Sequence, residues 1–222
     1  PPYAAELGAS AATLGLALSS FGAARLALNV PVGMAADRLA AGPRPLLVGA
    51  GALARHFIDA HRAVRPISDV LVWNRTPKRA EELVANCRLQ EDASALNSIG
   101  VTDDLEAAVS GADIVTCITA SSEPVIFGDW VREGTHVDLV GAFSPDSRES
   151  DDTLVQKARI FVDTRTGALA EAGDLIIPMN NGLITEDDVA ADLFDLTQGE
   201  RDGRRFYDQI TLFKNCGSAI ED

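Results

Sequence analysis

The residues best suited to chemistry in this chain are glycines. Gly49-Ala50-Gly51-Ala52-Leu53-Ala54 fits the pattern G-x-G-x-x-G/A. It follows an apolar, strand-like run (45–49) and opens a stretch with helical spacing (52–63). In that setting each small residue has a task. Gly49 permits a tight turn, Gly51 lets the backbone approach a pyrophosphate, and Ala54 lets the helix pack close on the strand. The helix amino end then offers unpaired N–H groups to phosphate oxygens. Gly49, Ala50, Gly51, Ala52 and Leu53 are expected to form a dinucleotide-binding turn. Taken alone the motif also fits a merely structural turn of small residues.

The end of the second strand-like run reads Trp73-Asn74-Arg75-Thr76-Pro77-Lys78-Arg79. An enzyme that uses NAD places Asp or Glu there to hold the ribose 2′-OH. Here Asn74 carries no charge to repel a 2′-phosphate. Arg75 can grip one with two N–H groups, Thr76 can add a hydroxyl, and Lys78 or Arg79 strengthens the local field. The expected cofactor is NADPH rather than NADH, with a solvated basic helix start as the alternative. Thr119 ends the run 113–119 and Ser121 follows it, and ligands of open parallel sheets lie beyond the carboxyl ends of strands. Both are expected to touch the cofactor, although a plain polar turn fits either one alone.

Other reactive side chains are scattered. His56 and His61 fall on the first helix and His136 at a strand start, which suits structural or surface roles. Cys87, Cys117 and Cys216 are far apart, odd in number and form no C-x-x-C pair. No disulfide framework and no metal site are expected. Such thiols suit a reducing compartment, the cytoplasm.

These residues need elements to position them. Strand-like runs at 45–49, 69–73, 113–119, 135–140 and 159–163 alternate with helical spacing at 52–63, 77–87, 105–111 and 151–157. That alternation predicts an α/β fold, a Rossmann-type doubly wound parallel sheet with helices on both faces. Continuous apolar runs such as 46–48 and 70–72 predict strands buried on both faces. Further on, Leu175-Ile176-Ile177-Pro178 predicts a short strand or turn. Residues 185–196 predict a helix that Thr185 starts and Gly199 ends.

The net charge is −14 and the isoelectric point about 4.5. That balance argues against nucleic acid and anionic membrane surfaces as partners, since both are polyanions. The chain begins with Pro1, as a fragment or processed product would. No charged residue occurs from Leu7 to Ala24, and the apolar character continues over 26–36. The run is rich in Ala, Gly and Ser and lacks the basic start of a signal peptide. A soluble buried helix is expected there; a membrane tether through residues 7–36 is the alternative.

Several motifs together resemble the ornithine cyclodeaminase/mu-crystallin family. They are Val48-Gly49-Ala50-Gly51-Ala52, Ala112-Asp113-Ile114-Val115, Gly134-Thr135-His136-Val137-Asp138-Leu139-Val140-Gly141, Phe161-Val162-Asp163-Thr164, Glu171-Ala172-Gly173-Asp174, and the ending from Thr211 through Phe213-Lys214-Asn215 to Asp222. The resemblance covers residues 45–222. It implies one of three activities: ornithine cyclodeaminase, alanine dehydrogenase, or reductase of cyclic ketimine carboxylates such as Δ1-pyrroline-2-carboxylate and Δ1-piperideine-2-carboxylate. A non-catalytic NADPH-binding role is a further alternative. Cyclodeaminases and alanine dehydrogenases of the family carry a functional Asp in V-G-G-D-x-P-G-K, where this chain has Phe143 within Val140-Gly141-Ala142-Phe143-Ser144-Pro145-Asp146. The form found here is similar to the ketimine reductases, so the resemblance implies hydride delivery to a C=N carbon, with an imino or amino acid as substrate. Val140 and Gly141 join the expected cofactor contacts. Lys214 resembles a family lysine near the nicotinamide and is the weak candidate for a catalytic group. Asp146, Arg148 and Glu149 are expected to hold the loop and cap the next helix.

The family also builds a homodimer and a substrate site from an amino-terminal part. That implies an organisation with 1–42 an atypical apolar segment, 43–168 the cofactor domain, and 169–222 returning to the substrate and dimerisation region. Residues 1–42 do not match the family's pattern, so its carboxylate-binding cations have no counterpart there. Residues 7–39 instead resemble the first two membrane segments of a major facilitator transporter, with Gly33-Met34-Ala35-Ala36-Asp37-Arg38-Leu39 as its loop motif.

Overall fold

Four apolar residues, Pro45–Val48, form β1, and all four are buried. Leu46 and Val48 face one core cluster and Leu47 the other, as the two-residue period of a strand requires. The computed structural model describes residues 42–90 and 98–217. The helix, tether and transporter expectations for residues 7–39 lie outside the described residues. The sheet lies in the second of two compact units, Pro1–Gly42 and Pro43–Asp222.

From β1 the chain runs through α1 (Ala54–Val64), β2 (Asp69–Trp73), α2 (Pro77–Gln90), β3 (Ser98–Val101), α3 (Leu105–Gly111), β4 (Ile114–Cys117) and β5 (His136–Leu139). It continues through α4 (Asp152–Lys157), β6 (Arg159–Val162), α5 (Arg165–Glu171), α6 (Gly173–Asn180), β7 (Val189–Asp192), α7 (Leu193–Gln198) and β8 (Thr211–Lys214). The eight strands form one sheet in the order β3-β2-β1-β4-β5-β8-β6-β7. Every pairing is parallel. The fold is the expected Rossmann-type α/β sheet. Residues 169–222 supply two of its strands, β7 and β8.

Register brings the strand ends level. Val48 pairs with Trp73 and Cys117, Cys117 with Leu139, and Leu139 with Lys214. One rim therefore collects the loops that follow β1, β2, β4, β5 and β8. Ala54, Ile58, Ala80 and Val84 of α1 and α2 close one face over Leu47, Val70 and Val72. Val109, Leu154, Val155, Ala168 and Leu175 close the other face over Leu46, Val115, Val137 and Leu212. β2 departs from the expectation of two buried faces, because Leu71 is 42% exposed. Ala107, Ala108 and Gly111 of α3 are too small to cover it and leave a groove of about 280 Å³ beside it.

Two later elements correct the sequence reading. Leu175–Pro178 is neither strand nor turn but part of α6, with Pro178 inside the helix. A Cβ on Gly173 would lie 2.0 Å from the Ser147 carbonyl oxygen, so the helix start is pressed onto a loop that tolerates only glycine. Residues 185–196 are not one helix. Thr185 does start a turn, but a 3₁₀ turn (Glu186–Asp188) that it closes with Asp188 in a capping box. The chain then extends into β7, burying Val189 and Ala191. Asp192 caps a new helix, α7, by accepting from the Asp195 N–H. Gly199 ends α7 in the left-handed region, as expected.

His61 of α1 reaches the sheet at Thr116, with its Nε2 2.8 Å from Oγ1. Asp138 lies beyond, 3.6 Å from the same nitrogen, and is itself 3.0 Å from His136 Nε2. Burial holds the His61 pKa below its ordinary value, against the pull of Asp138. The unfolded chain therefore takes up this proton first, below about pH 6.5. Stability should fall from that pH downward, until the folded imidazole also protonates. His61→Gln can keep a bond to Thr116 and should flatten the decline of Tm between about pH 7 and pH 5. An unchanged slope in thermal melts would remove His61 as the cause.

Candidate functional site

The order of the sheet reverses at β1, which has β2 on one side and β4 on the other. Such a switch point opens a crevice beyond the strand ends. Here it is a cavity of about 330 Å³. Residues 49–51 line it after β1, residues 73–76 with Arg79 after β2, and residues 118–121 with Val125 after β4.

The glycine turn is shaped by two different demands. Gly49 has φ +115°, and a Cβ there would lie 2.4 Å from the Ile118 carbonyl oxygen. Its N–H donates to Trp73 O at 2.8 Å. Gly49 is thus glycine for the protein's own backbone. At Gly51 a Cβ would meet nothing within 4 Å among the described residues, so these give no packing reason for glycine there. Space left over backbone N–H groups suits a close-lying anion. Helix α1 starts behind it with no side-chain cap at Leu53 and no acid in its first turn. Its dipole and leading N–H groups are left for a phosphate. Ala52 lines the adjoining groove toward α2. Leu53 is half exposed, and Ala54 is fully buried against the sheet.

Asn74 binds the two turns together. Its Oδ1 accepts from the Ala50 N–H at 3.0 Å, and its Nδ2 donates to Thr76 O at 2.9 Å. That fixes Arg75 and Thr76 at the cavity wall. The second cation on that wall is Arg79. Lys78 turns outward, 81% exposed, and sits 3.9 Å from Glu82.

At the other end Thr119 presents its hydroxyl oxygen while both its N–H and O–H donate to Glu149 Oε1, at 2.6 and 2.9 Å. Ser121 donates to Glu123 O at 2.7 Å and accepts from the Glu123 N–H at 3.3 Å. Val140 continues the ladder to Cys117 O. A Cβ on Gly141 would lie 1.6 Å from the Thr119 carbonyl oxygen, so the loops after β4 and β5 touch through their backbones. Lys214 is fully buried, and its ammonium donates to Leu139 O and Asn215 O at 3.0 and 2.9 Å. His56 is exposed on α1, while His61 and His136 lie in the polar cluster around Asp138. Asp146 accepts from Ser144, Arg148 pairs with Asp152, and Asp151 caps α4. Phe143 is 64% exposed.

Among the described residues, the cavity wall thus offers hydroxyls, one amide and two guanidiniums, without carboxylate, imidazole or thiol. Residues 40–222 match the profile of the Ornithine cyclodeaminase/mu-crystallin family. The chain belongs to that family. Among its relatives, a Delta(1)-pyrroline-2-carboxylate reductase of Paracoccus denitrificans is 44% identical over 179 residues, which cover 80% of this chain and 55% of that protein. The solved structure of Thermococcus litoralis Delta(1)-pyrroline-2-carboxylate reductase, in complex with NADH and L-proline, is similar with a TM-score of 0.75 and 36% identity, over 86% of this chain and 58% of that one. An archaeal alanine dehydrogenase dimer with bound NAD gives a TM-score of 0.74 at 31% identity, over 85% of this chain and 57% of that one. The chain spans about half the length of the family members it matches.

The two glycines should respond differently to the same change. Gly49→Ala forces a strained φ and a clash, and should cost about 1–3 kcal/mol. Gly51→Ala should stay within about 0.5 kcal/mol of the parent. Urea unfolding of both variants measures this, and equal losses would contradict the assignment of Gly51 to a ligand.

Proposed function

We propose that this chain carries the cofactor half of an NADPH-dependent reductase of cyclic ketimine carboxylates, Δ1-pyrroline-2-carboxylate or Δ1-piperideine-2-carboxylate. One observation carries the choice of cofactor: Arg75 and Arg79 share the cavity wall at the end of β2, and Asn74 stands where an acid would exclude a 2′-phosphate. The two relatives that act on Δ1-pyrroline-2-carboxylate support the substrate class. Phe143 supports it too, because a phenyl ring can neither bind an amino group nor move a proton. When bound, NADPH supplies the hydride for the C=N carbon. The chain's residues hold that donor in place. The α1 amino end and Gly51 take the pyrophosphate, and Arg75, Thr76 and Arg79 take the phosphorylated ribose. Thr119, Ser121, Val140 and Gly141 flank the nicotinamide half, and buried Lys214 fixes the ends of β5 and β8 beneath it. The expected assembly is a homodimer, as in the archaeal alanine dehydrogenase.

Cofactor choice should follow Arg75. Arg75→Asp puts a negative charge beside the 2′-phosphate and should weaken NADPH by about 1.5–3 kcal/mol while sparing NADH. Fluorescence titration with both cofactors checks this, and equal weakening would sink the assignment.

Turnover separates the proposed reductase from a carrier that only binds. NADPH should bind, and reduction of Δ1-pyrroline-2-carboxylate should be weak. Residues 1–42 do not match the family's pattern, and a chain without a bidentate contact to the substrate carboxylate should show a KM higher by roughly one to two powers of ten. No ammonia should be released from ornithine. Ornithine deamination in a coupled assay would overturn the reading of Phe143. Saturation at micromolar imine would show that the carboxylate site is complete.

A further inference from the structure

Glu149 is fully buried, in the loop between β5 and α4. Its carboxylate joins two backbones. Oε1 takes the N–H and the hydroxyl of Thr119 just past β4, and Oε2 takes the N–H of Gly141 at 2.7 Å just past β5. Glu149 is itself pinned on both sides. Its N–H donates to Asp174 Oδ1 at 2.8 Å, and its carbonyl accepts from Val125 and Ile126. Asp174 Oδ1 also takes the N–H and the hydroxyl of Ser150, while its Oδ2 is buried without a hydrogen-bond partner among the described residues.

Burying a carboxylate is costly, and a neutral tie would serve the fold at less expense. Burial and the neighbouring Asp174 push the Glu149 carboxyl above the ordinary carboxylate range, against the bonds from Thr119 and Gly141. What an ionised carboxylate does uniquely is accept from two opposed N–H groups while donating nothing. A glutamine in its place must turn a donor toward one of them. Of the groups so held, Thr119 lines the cleft on the side of β1 away from Arg75, and Gly141 lies directly against the Thr119 backbone. A dinucleotide with its 2′-phosphate at Arg75 and its pyrophosphate at Gly51 extends its nicotinamide half toward Thr119 and Gly141.

We propose that Glu149 is a positioning residue for the nicotinamide half of the cofactor. It clamps the loops after β4 and β5 so that Thr119 and Gly141 form the ledge on which the ring lies. The proposal rests on the dinucleotide reading of the cleft. It predicts a selective effect, since the adenosine half is held by residues that Glu149 does not touch.

The test compares two probes on the purified chain by calorimetric titration. NADPH reports the whole site; 2′,5′-ADP reports the adenosine half alone. Glu149→Gln should weaken NADPH about tenfold, the loss of one hydrogen bond to a charged group. It should leave 2′,5′-ADP within about twofold. The emission maximum of bound NADPH, which reports the surroundings of the ring, should move toward that of free NADPH. Thr119→Val removes only the hydroxyl and should show the same selectivity with a smaller loss, which keeps the test decisive where Glu149→Gln does not fold. Unchanged NADPH affinity, or equal weakening of both probes, would overturn the proposal. A parent chain that binds 2′,5′-ADP but not NADPH would overturn it too. A parent that binds neither would instead overturn the dinucleotide reading.

Discussion

At two places on the rim of the sheet, backbone passes backbone with room for a hydrogen and no more. Gly49 turns beneath the Ile118 carbonyl, and Gly141 lies against the carbonyl of Thr119. The loops after β1, β4 and β5 are thereby pressed into one another. Each side chain at the candidate site hangs from this contact. Asn74 reaches Ala50 because Gly49 has already turned the chain toward Trp73. Thr119 and Gly141 can share one carboxylate because no Cβ separates them. Interiors pack at crystal-like density, so such a contact has no slack for one methyl group.

The two ends of the cleft solve the handling of charge in opposite ways. On the β2 side the guanidiniums of Arg75 and Arg79 stand exposed, in a molecule of net charge −14. Exposed cations act at range and discriminate by charge, with salt weakening them. On the β4–β5–β8 side the charges of Glu149, Asp174 and Lys214 are fully buried. They are held by backbone groups, as with the two carbonyls bound by Lys214. A buried charge that loses a partner is penalised heavily, so these groups resist displacement and define positions. On the proposed reading, one end of the cleft reads what the cofactor carries and the other fixes where it lies.

Much of this was legible in the sequence because it depends on local rules. The glycine turn, the strands from β1 to β6 apart from β3, and the basic stretch after β2 follow from small-residue spacing, apolar runs and charge. β3 escaped because Ser98-Ile99-Gly100-Val101 offers two apolar residues around a glycine. β7 escaped because Val189 and Ala191 fall where the acids after Thr185 suggest a helix. β8 carried a family motif but no announced strand, as only its neighbours β5 and β6 make it one. Arg79 reaches the wall and Lys78 does not, a difference that two adjacent basic residues do not announce. No local signal marks the joint work of Glu149 and Asp174, which are 25 residues apart and meet only through folding. Sequence pattern reports what a residue does to its neighbours in the chain, and these two act on groups distant in it.

The position of β8 has a consequence for how the molecule is made. It is the last strand described, yet it lies between β5 and β6 in the sheet. His136 of β5 and its partner Thr211 are 75 residues apart. A ribosome adding about 5–20 residues per second needs on the order of 4–15 s to bridge that gap. Until then β5 has an open edge and β6 has no link to the first half of the sheet. Unpaired parallel edges are templates for wrong partners, and contacts this distant in sequence close slowly. The strand that completes the sheet is also the one that carries Lys214, so the buried tie between the ends of β5 and β8 is the last part of this rim to be laid.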